Sequence, residues 1–434
     1  MARPRIVIVG AGFAGYHCAR KLARLARGAA DIMLLNPTDY FLYLPLLPEV
    51  AASGLEPRRI AVSIPATIGG GVRLVLGKAT GVDLDRRRVQ YTDPEDGTGE
   101  LRYDRLVLAL GSVNKLLPIP GVAEHAHGFR GIFEALYLRD HVTRQVELAD
   151  ATDDREERAA RLTFVVVGAG YTGTEVAAHG ALFTRDLLMR HPRLADDAVR
   201  WMLLDVSDRV LPELDMRLSR TADRVLRERD VDVRMGTSVK EATHDGVYLT
   251  DGSFVPTRTL AWCVGVRPDP LVADLGLMTN KGRLVVDEYL NVPGRPEVFA
   301  CGDAAAVPDL TRPGEITAMT AQHAQRQGKL AAHNVAASYG VGLQRAYKHH
   351  DLGFVVDLGG VQAAADPFGI PLGGPVAKAV TAGYHLLAMP GNRVRTAADW
   401  ALNSVLQRET VQLGLVRAPE VPLDTALPQG ERIR

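Results

Sequence analysis

The sequence predicts an α/β protein in which a doubly wound parallel-sheet unit occurs twice, the first copy split by the second, followed by a C-terminal region of helical and mixed structure. Three observations predict it. A strand, glycine-turn, helix signal appears twice, the segments downstream of each copy follow in the same order, and a further apolar strand ending in Gly-Asp arrives only after the second copy. The length of 434 residues agrees, because about 150 residues per domain gives a prior of roughly three domains.

The first unit opens with the β-branched run 6–9, which leads into Gly10, Ala11, Gly12, Phe13, Ala14 and Gly15 and then a helical stretch over 16–26. Residues 164–167 repeat the pattern, leading into Gly168, Ala169, Gly170, Tyr171, Thr172 and Gly173 and a helix beginning near Thr174. A second strand follows in each copy, over 31–35 and 201–204. Alternating segments with turn signals come next, at 88–92, 93–99 and 101–103 in the first copy and at 247–250, 251–252 and 253–256 in the second. Each copy closes on an apolar strand ending at glycine, over 106–111 and 260–265.

A single GxGxxG is a weak signal in a chain with 42 glycines, about 10% against the usual ~7%. Two of them in strand-to-helix context, with matching downstream order, point strongly to two Rossmann-like dinucleotide-binding domains. The first glycine makes the tight turn, the second lets backbone approach a pyrophosphate, and the third lets helix pack on strand. The pyrophosphate then faces the free N–H groups and positive dipole end of the helix.

The residue ending the second strand usually reads the adenosine ribose. Asp205 holds that place in the second unit, where a carboxylate accepts ribose hydroxyls and repels a 2'-phosphate, which favours NADH over NADPH. The competing reading is a solvated aspartate opening the turn 205–208. In the first unit Asn36 holds the place, able to hydrogen-bond but uncharged. The late strand 298–303 ends in Gly302 and Asp303, with a helix beginning near Thr320. An aspartate there contacts the flavin ribityl chain in flavoproteins of this two-nucleotide kind, and the helix N-terminus faces the pyrimidine end of the ring system. FAD is therefore assigned to the first unit and NADH to the second.

Composition excludes other classes. Hydrophobic residues at 47% and charged residues at 24% are globular averages, against disorder, collagen or a disulfide scaffold. Lys+Arg and Asp+Glu both count 51, so no global field holds a polyanion, and nucleic acid is not an expected partner. Cys18, Cys263 and Cys301 are an odd set at wide spacing, which fits a reducing cytoplasm and small buried hydrophobes. Residues 1–15 superficially resemble a signal peptide, but the glycine fingerprint explains them better. No apolar run reaches the roughly 18 residues of a spanning helix.

The chain resembles the two-dinucleotide-binding-domain flavoproteins, and within them the type II NADH dehydrogenases, the single-subunit NADH:quinone oxidoreductases. Residues 10–15, 44–47 with 50–54, 103–104 with 106–111, 168–175, 208–212 and 301–303 carry the likeness, and Gln322, His323, Ala324 through Gln327 and Gly328 resemble the segment lying along flavin and quinone. The resemblance implies an FAD site at Gly10, Gly12, Phe13, Ala14, Gly15, Asn36, Pro45, Ala79, Ala109, Leu110, Gly111, Gly302, Asp303, Gln322, His323 and Ala324. It implies an NADH site at Gly168, Gly170, Tyr171, Thr172, Gly173, Glu175, Asp205, Val264 and Gly265. No metal is expected.

The implied reaction is hydride transfer from NADH to the flavin, then electron transfer to a quinone, without proton pumping. Glu175, two residues after Gly173, corresponds to a family glutamate implicated in proton handling near nicotinamide and flavin; the plainer reading is a helix-start carboxylate favoured by the dipole. Gln322 and Arg326 mark the acceptor side. There the sequence departs from the family, which usually places a second glutamine at the position of Arg326. No spaced cysteine pair supports dithiol chemistry. An NADH-dependent ferredoxin or rubredoxin reductase is the rival enzyme, and an NADH- and FAD-binding redox sensor the rival without turnover.

Beyond about residue 339 the composition shifts. Residues 367–375 read as a connector, and Pro390-Gly391 separates two helical stretches. In the second, Val394, Ala397, Ala398, Ala401, Leu402, Val405 and Leu406 form one apolar stripe, with Arg393, Arg395, Asp399, Asn403 and Arg408 off it and Trp400 near its edge. Such a helix either lies in a membrane interface, as the resembling family does through its C-terminal part, or packs on the FAD domain or a second subunit as a homodimer. The expected division is 1–115 for the first part of the FAD domain, 116–161 a connector with a helix, 162–275 the NADH domain, 276–338 the second part of the FAD domain, and 339–434 a region for acceptor-site, membrane or dimer contacts. The expected location is the cytoplasm or the cytoplasmic face of the cell membrane.

Overall fold

The computed structural model describes residues 3–349 and 352–424, which fall into two compact units. The first gathers residues 3–42, 61–113 and 267–349, and the second residues 43–60, 114–266 and 352–424.

The first unit is built on a six-stranded sheet in the order Asn291–Val292, Arg295–Ala300, Arg105–Leu108, Arg5–Val9, Asp31–Asn36, Val72–Leu76. Every neighbouring pair is parallel except the first, which is antiparallel. Ile6 to Val9 and Ile32 to Leu35 are at most 3% exposed, the unbroken apolar runs expected of parallel strands covered on both faces. Helix Phe13–Ala26 packs closely on helix Ala321–Ala337, where a Cβ on Gly328 would stand 2.0 Å from the Ala14 carbonyl oxygen. The late strand Arg295–Ala300 therefore completes the sheet begun near the N-terminus, beside Arg105–Leu108.

The second unit carries an all-parallel sheet in the order His127–Gly128, Thr259–Trp262, Thr163–Val167, Arg200–Asp205, Val231–Met235. Trp201 stacks on Phe164 at 4.8 Å and donates its indole N–H to Thr184 Oγ1 at 3.1 Å. That ring lies against Gly180 of helix Tyr171–Leu188, where a Cβ would stand 2.2 Å from it. The two fingerprint helices begin at Phe13 and Tyr171, three residues earlier than expected in each copy, because the last residues of each glycine motif are already helical.

The compact units divide the chain differently from the expected segments. Residues 43–60 group with the second unit, since helix Leu47–Ala51 packs on helices Ile132–Ala151 and Tyr171–Leu188. Residues 267–275 and 339–349 group with the first. Within the expected connector 367–375 lie a turn of 3-10 helix, Pro367–Gly369, and a strand, Leu372–Gly373, which completes a small antiparallel sheet with Val355–Asp357 and Ala363–Ala365.

Helices Gly374–Ala388 and Arg393–Asn403 follow. The second turns Thr396, Asp399, Trp400 and Asn403 inward while Val394 and Leu402 are 83% and 56% exposed, and Val405 and Leu406 beyond it are 84% and 59% exposed. Among the described residues, most of the stripe is therefore exposed, with Ala397 half-buried. No helix among the described residues is long and apolar enough to cross a membrane.

Candidate functional site

The two glycine loops are built alike. Gly10 and Gly168 take φ of +93° and +105°, and a Cβ there would stand 2.3 Å from the carbonyl oxygens of Ala109 and Cys263. A Cβ on Gly15 or Gly173 would stand 1.8 Å from the carbonyl oxygen of Gly10 or Gly168. At Gly12 and Gly170, by contrast, nothing lies within 4 Å of the missing Cβ. The outer glycines are demanded by the protein, while the middle ones border open space where a pyrophosphate approaches backbone. Both loops thus fit a dinucleotide.

Each loop is held by the residue ending the second strand. The amide of Ala11 donates to Asn36 Oδ1 at 2.8 Å, and that of Ala169 to Asp205 Oδ2 at 2.6 Å. Asn36 spends its Nδ2 on the carbonyl and hydroxyl oxygens of Thr38. Asp205 Oδ1 accepts from the amide and hydroxyl of Ser207. Both residues are therefore loop holders, a role the sequence reading did not give them.

The remaining first-unit candidates cluster around the strand ends. Ala109, Leu110 and Gly111 follow strand Arg105–Leu108, and the Ala109 amide donates to the Val9 carbonyl at 2.9 Å. Asp303 Oδ2 accepts from Ser112 Oγ at 2.6 Å. Gly302 has φ +76°, and its amide donates to Oε1 of the fully buried Gln327, whose Nε2 donates to Thr317 Oγ1. Phe13 meets Phe41 edge-on at 5.0 Å. Ala79 lies in strand Lys78–Asp83. Pro45, in the 3-10 turn Leu44–Leu46, belongs to the second unit.

Gln322, His323, Ala324 and Arg326 lie on the first turns of helix Ala321–Ala337, capped by Thr320. His323 Nδ1 pairs with the Tyr347 hydroxyl at 2.8 Å, and burial, reinforced by His349, pushes its pKa down to about 4, so the ring is neutral. Arg326 Nη1 donates to His349 Nδ1 at 2.9 Å. The charge that replaces the family's amide is thus tethered beside His323.

In the second unit Tyr171 and Thr172 open the helix half-buried, and the Tyr171 ring lies 5.7 Å from Phe354. Val264 is half-buried, and Gly265 is exposed with φ +99°. Glu175 is buried and accepts the Asp357 amide on Oε1 at 2.9 Å; burial raises its pKa well above the ordinary carboxylate value. One turn on, His179 Nε2 lies 3.6 Å from Asp357 Oδ1. Lys378 Nζ contacts Asp357 Oδ2 at 2.5 Å and lies 3.6 Å from Glu49 Oε1, while Glu49 Oε2 accepts from Trp400 Nε1 at 2.6 Å. Sequence reasoning missed Gln327's role, Glu49, Asp357 and Lys378. Only His179, four residues after Glu175 on one helix face, left a local signal.

Cys18 and Cys301 are buried and Cys263 half-buried, all free thiols; burial pushes the Cys263 and Cys301 thiols up to about 12 and raises Cys18 well above its ordinary value. They are inert protonated thiols.

Two Rossmann-like units with stitched glycine loops define a two-dinucleotide-binding oxidoreductase. The family model described as pyridine nucleotide-disulphide oxidoreductase matches residues 4–328. The chain is 30% identical over 424 residues to the type II NADH:quinone oxidoreductase Ndh of Mycobacterium tuberculosis, covering 94% of this chain and 89% of that one. It is 29% identical over 384 residues to the demethylphylloquinone reductase NdbB of Synechocystis, covering 87% and 90%. The structure of NDH2 from Plasmodium falciparum in complex with NADH superposes with a TM-score of 0.87 at 18% identity, over 94% of this chain and all of that one, a likeness of fold. The chain belongs to the type II NADH:quinone oxidoreductase family of pyridine nucleotide-disulphide oxidoreductases.

Proposed function

We propose that the protein oxidises NADH and reduces a quinone through bound FAD. The observation that carries this reading is the pair of identically stitched glycine loops, each open only at its middle glycine. When bound, FAD takes two electrons from NADH as a hydride and passes them to the acceptor.

This chain's residues bind, orient and hold protons. Gly10, Gly12 and Gly15 cradle the FAD pyrophosphate, Asn36 holds that loop toward the ribose, and Asp303, fixed by Ser112, takes the ribityl hydroxyls. Gly168, Gly170 and Gly173 do the same for NADH, with the Asp205 charge selecting against a 2'-phosphate. Glu175, whose burial favours its protonated form, is the proton-handling group of the second unit. Gln322 and the tethered Arg326 face the quinone, a charge-assisted donor replacing the usual amide.

The exposed residues Leu387, Val394, Leu402, Val405 and Leu406, flanked by Arg393 and Arg395, form an apolar, basic-edged surface that we assign to an anionic membrane surface. Quinones partition into lipid, so a reductase seated there meets its acceptor. An acceptor panel of short-chain quinones, ferricyanide, oxygen and a ferredoxin, with NADH as donor, tests the reading. Quinone activity supports it, and activity with ferredoxin alone overturns it in favour of a ferredoxin reductase.

A further inference from the structure

The second unit buries more carboxyl groups than cations. Glu175 and His179 on helix Tyr171–Leu188, Asp357 on strand Val355–Asp357, Lys378, Thr381 and His385 on helix Gly374–Ala388, and Glu49 on helix Leu47–Ala51 converge. Lys378, Thr381 and His385 recur at i, i+3 and i+7, one face of a helix, and His385 Nδ1 pairs with the Tyr43 hydroxyl at 3.1 Å. Three carboxyls share this interior with one ammonium group. Asp357 takes it: Lys378 Nζ lies 2.5 Å from Asp357 Oδ2 but 3.6 Å from Glu49 Oε1. Asp357 also accepts the Gly359 amide at 2.8 Å, and its contacts with His179 and Lys378 hold its carboxyl well below the usual range despite burial.

Glu49 is left with the opposite problem. It is 5% exposed. Its Oε2 has the Trp400 indole N–H, yet its Oε1 is buried with no hydrogen-bond partner as a carboxylate, and the neighbouring carboxyl of Asp357 is within hydrogen-bonding reach. Two carboxylates cannot hydrogen-bond each other. One proton on Glu49 resolves the orphan, since its O–H then donates to Asp357.

We propose that Glu49 and Asp357 form a one-proton dyad that clamps Lys378 and sets the proton affinity of the nearby Glu175, with Trp400 reporting the dyad's state to helix Arg393–Asn403. Glu49 is a positioning residue, not a catalytic one. It holds the proton that keeps Lys378 on Asp357; once Glu49 ionises, two carboxylates compete for one ammonium, and Glu175 binds its own proton more tightly. Burial first, then the Asp357 charge, raises Glu49 to about 8, with Lys378 and Trp400 opposing. Asp357, Lys378, Glu175, His179 and Arg408 are the charged and titratable groups acting across this interior, and helix Ile132–Ala151, packed beside Glu49's helix, carries the Arg139–Asp140 pair.

The proposal rests on the NADH:quinone reading only for its kinetic arm. The holoprotein is titrated between about pH 6 and 10, following tryptophan emission and, separately, kcat with a short-chain quinone. Trp400 emission is expected to change with a midpoint near 8, and Trp400→Phe removes the step, assigning it. Glu49→Gln, whose amide bonds both Asp357 and Trp400 but cannot ionise, abolishes the step and moves the alkaline fall of kcat up by at least tenfold in proton concentration. Trp400→Phe leaves a weaker shift of that fall in the same direction, because the indole bond favours the ionised form. An emission step unchanged in Glu49→Gln, no step in the wild type, or an alkaline limb unmoved in both variants overturns the dyad. If Glu49→Gln loses its flavin, the Trp400→Phe limb decides alone. An emission step without quinone activity keeps the dyad and sinks the proposed function.

Discussion

The carboxylate of Asp205 accepts the backbone amide of Ala169 at 2.6 Å, the same bond that Asn36 makes to Ala11 at 2.8 Å in the other unit. One position therefore has two separable duties: holding the glycine loop, which an amide oxygen does as well as a carboxylate, and presenting charge, which only the aspartate does.

Asp205→Asn is expected to keep fold and FAD while weakening discrimination against NADPH. The ratio of kcat/KM for NADH over NADPH should fall on the order of tenfold, the scale of one partly screened charge interaction. Steady-state kinetics with both nucleotides checks it, and an unchanged ratio leaves Asp205 as a loop holder alone.

The glycines separate ligand effects from folding effects. Gly12→Val places its side chain in open space, so the protein should fold with a nearly unchanged Tm but retain little FAD. Gly15→Ala meets the Gly10 carbonyl oxygen and should cost about 1–3 kcal/mol of stability through forced backbone movement. Flavin-to-protein absorbance ratios and thermal melts on both variants distinguish the two.

Glu175 keeps its proton in the folded state because burial raises its carboxyl well above 4.5. In the unfolded chain it ionises near 4.5, so its contribution to stability is fully present below that pH and is lost as pH rises through the folded value. Glu175→Gln should therefore melt less steeply with rising pH than the wild type above about pH 4.5. It should also slow turnover at least tenfold with FAD retained, a loss of about 1.4 kcal/mol in transition-state stabilisation. Melting curves across pH and single-turnover kinetics check both parts, and unchanged turnover reduces Glu175 to a helix-start carboxylate.

Most of the fold was legible because parallel strands buried on both faces read as unbroken apolar runs, and glycine loops have fixed spacing. The two Gly-rich turns, strands at 31 and 201, and the Gly302-Asp303 return are all local patterns. The buried cluster was not legible. Glu49 lies about three hundred residues before Asp357 and Lys378, those two sit on different elements of the C-terminal region, and nothing local marks a surface-type residue as buried. The C-terminal stripe was legible as a pattern but not in direction: periodicity locates an apolar face, while the inward bonds of Trp400 to Glu49 and of Asp399 to Arg59 turn that face outward.

Leu402→Glu with Val405→Glu places two charges on that outward face and should abolish co-sedimentation with anionic phosphatidylglycerol vesicles while activity with a water-soluble quinone persists within about twofold, since surface changes are near neutral for stability. Retained vesicle binding assigns the face to another partner, and a shift in sedimentation coefficient identifies a second copy of the chain.

The central claim is that one chain links NADH to a quinone through its own FAD. Anaerobic addition of NADH to the purified protein, followed at the flavin absorption band and then chased with a short-chain quinone, tests it most directly. Bleaching complete at one equivalent of NADH per flavin and fully reversed by quinone is the predicted result. A folded protein without flavin, or a bleached band that quinone leaves unchanged, contradicts it.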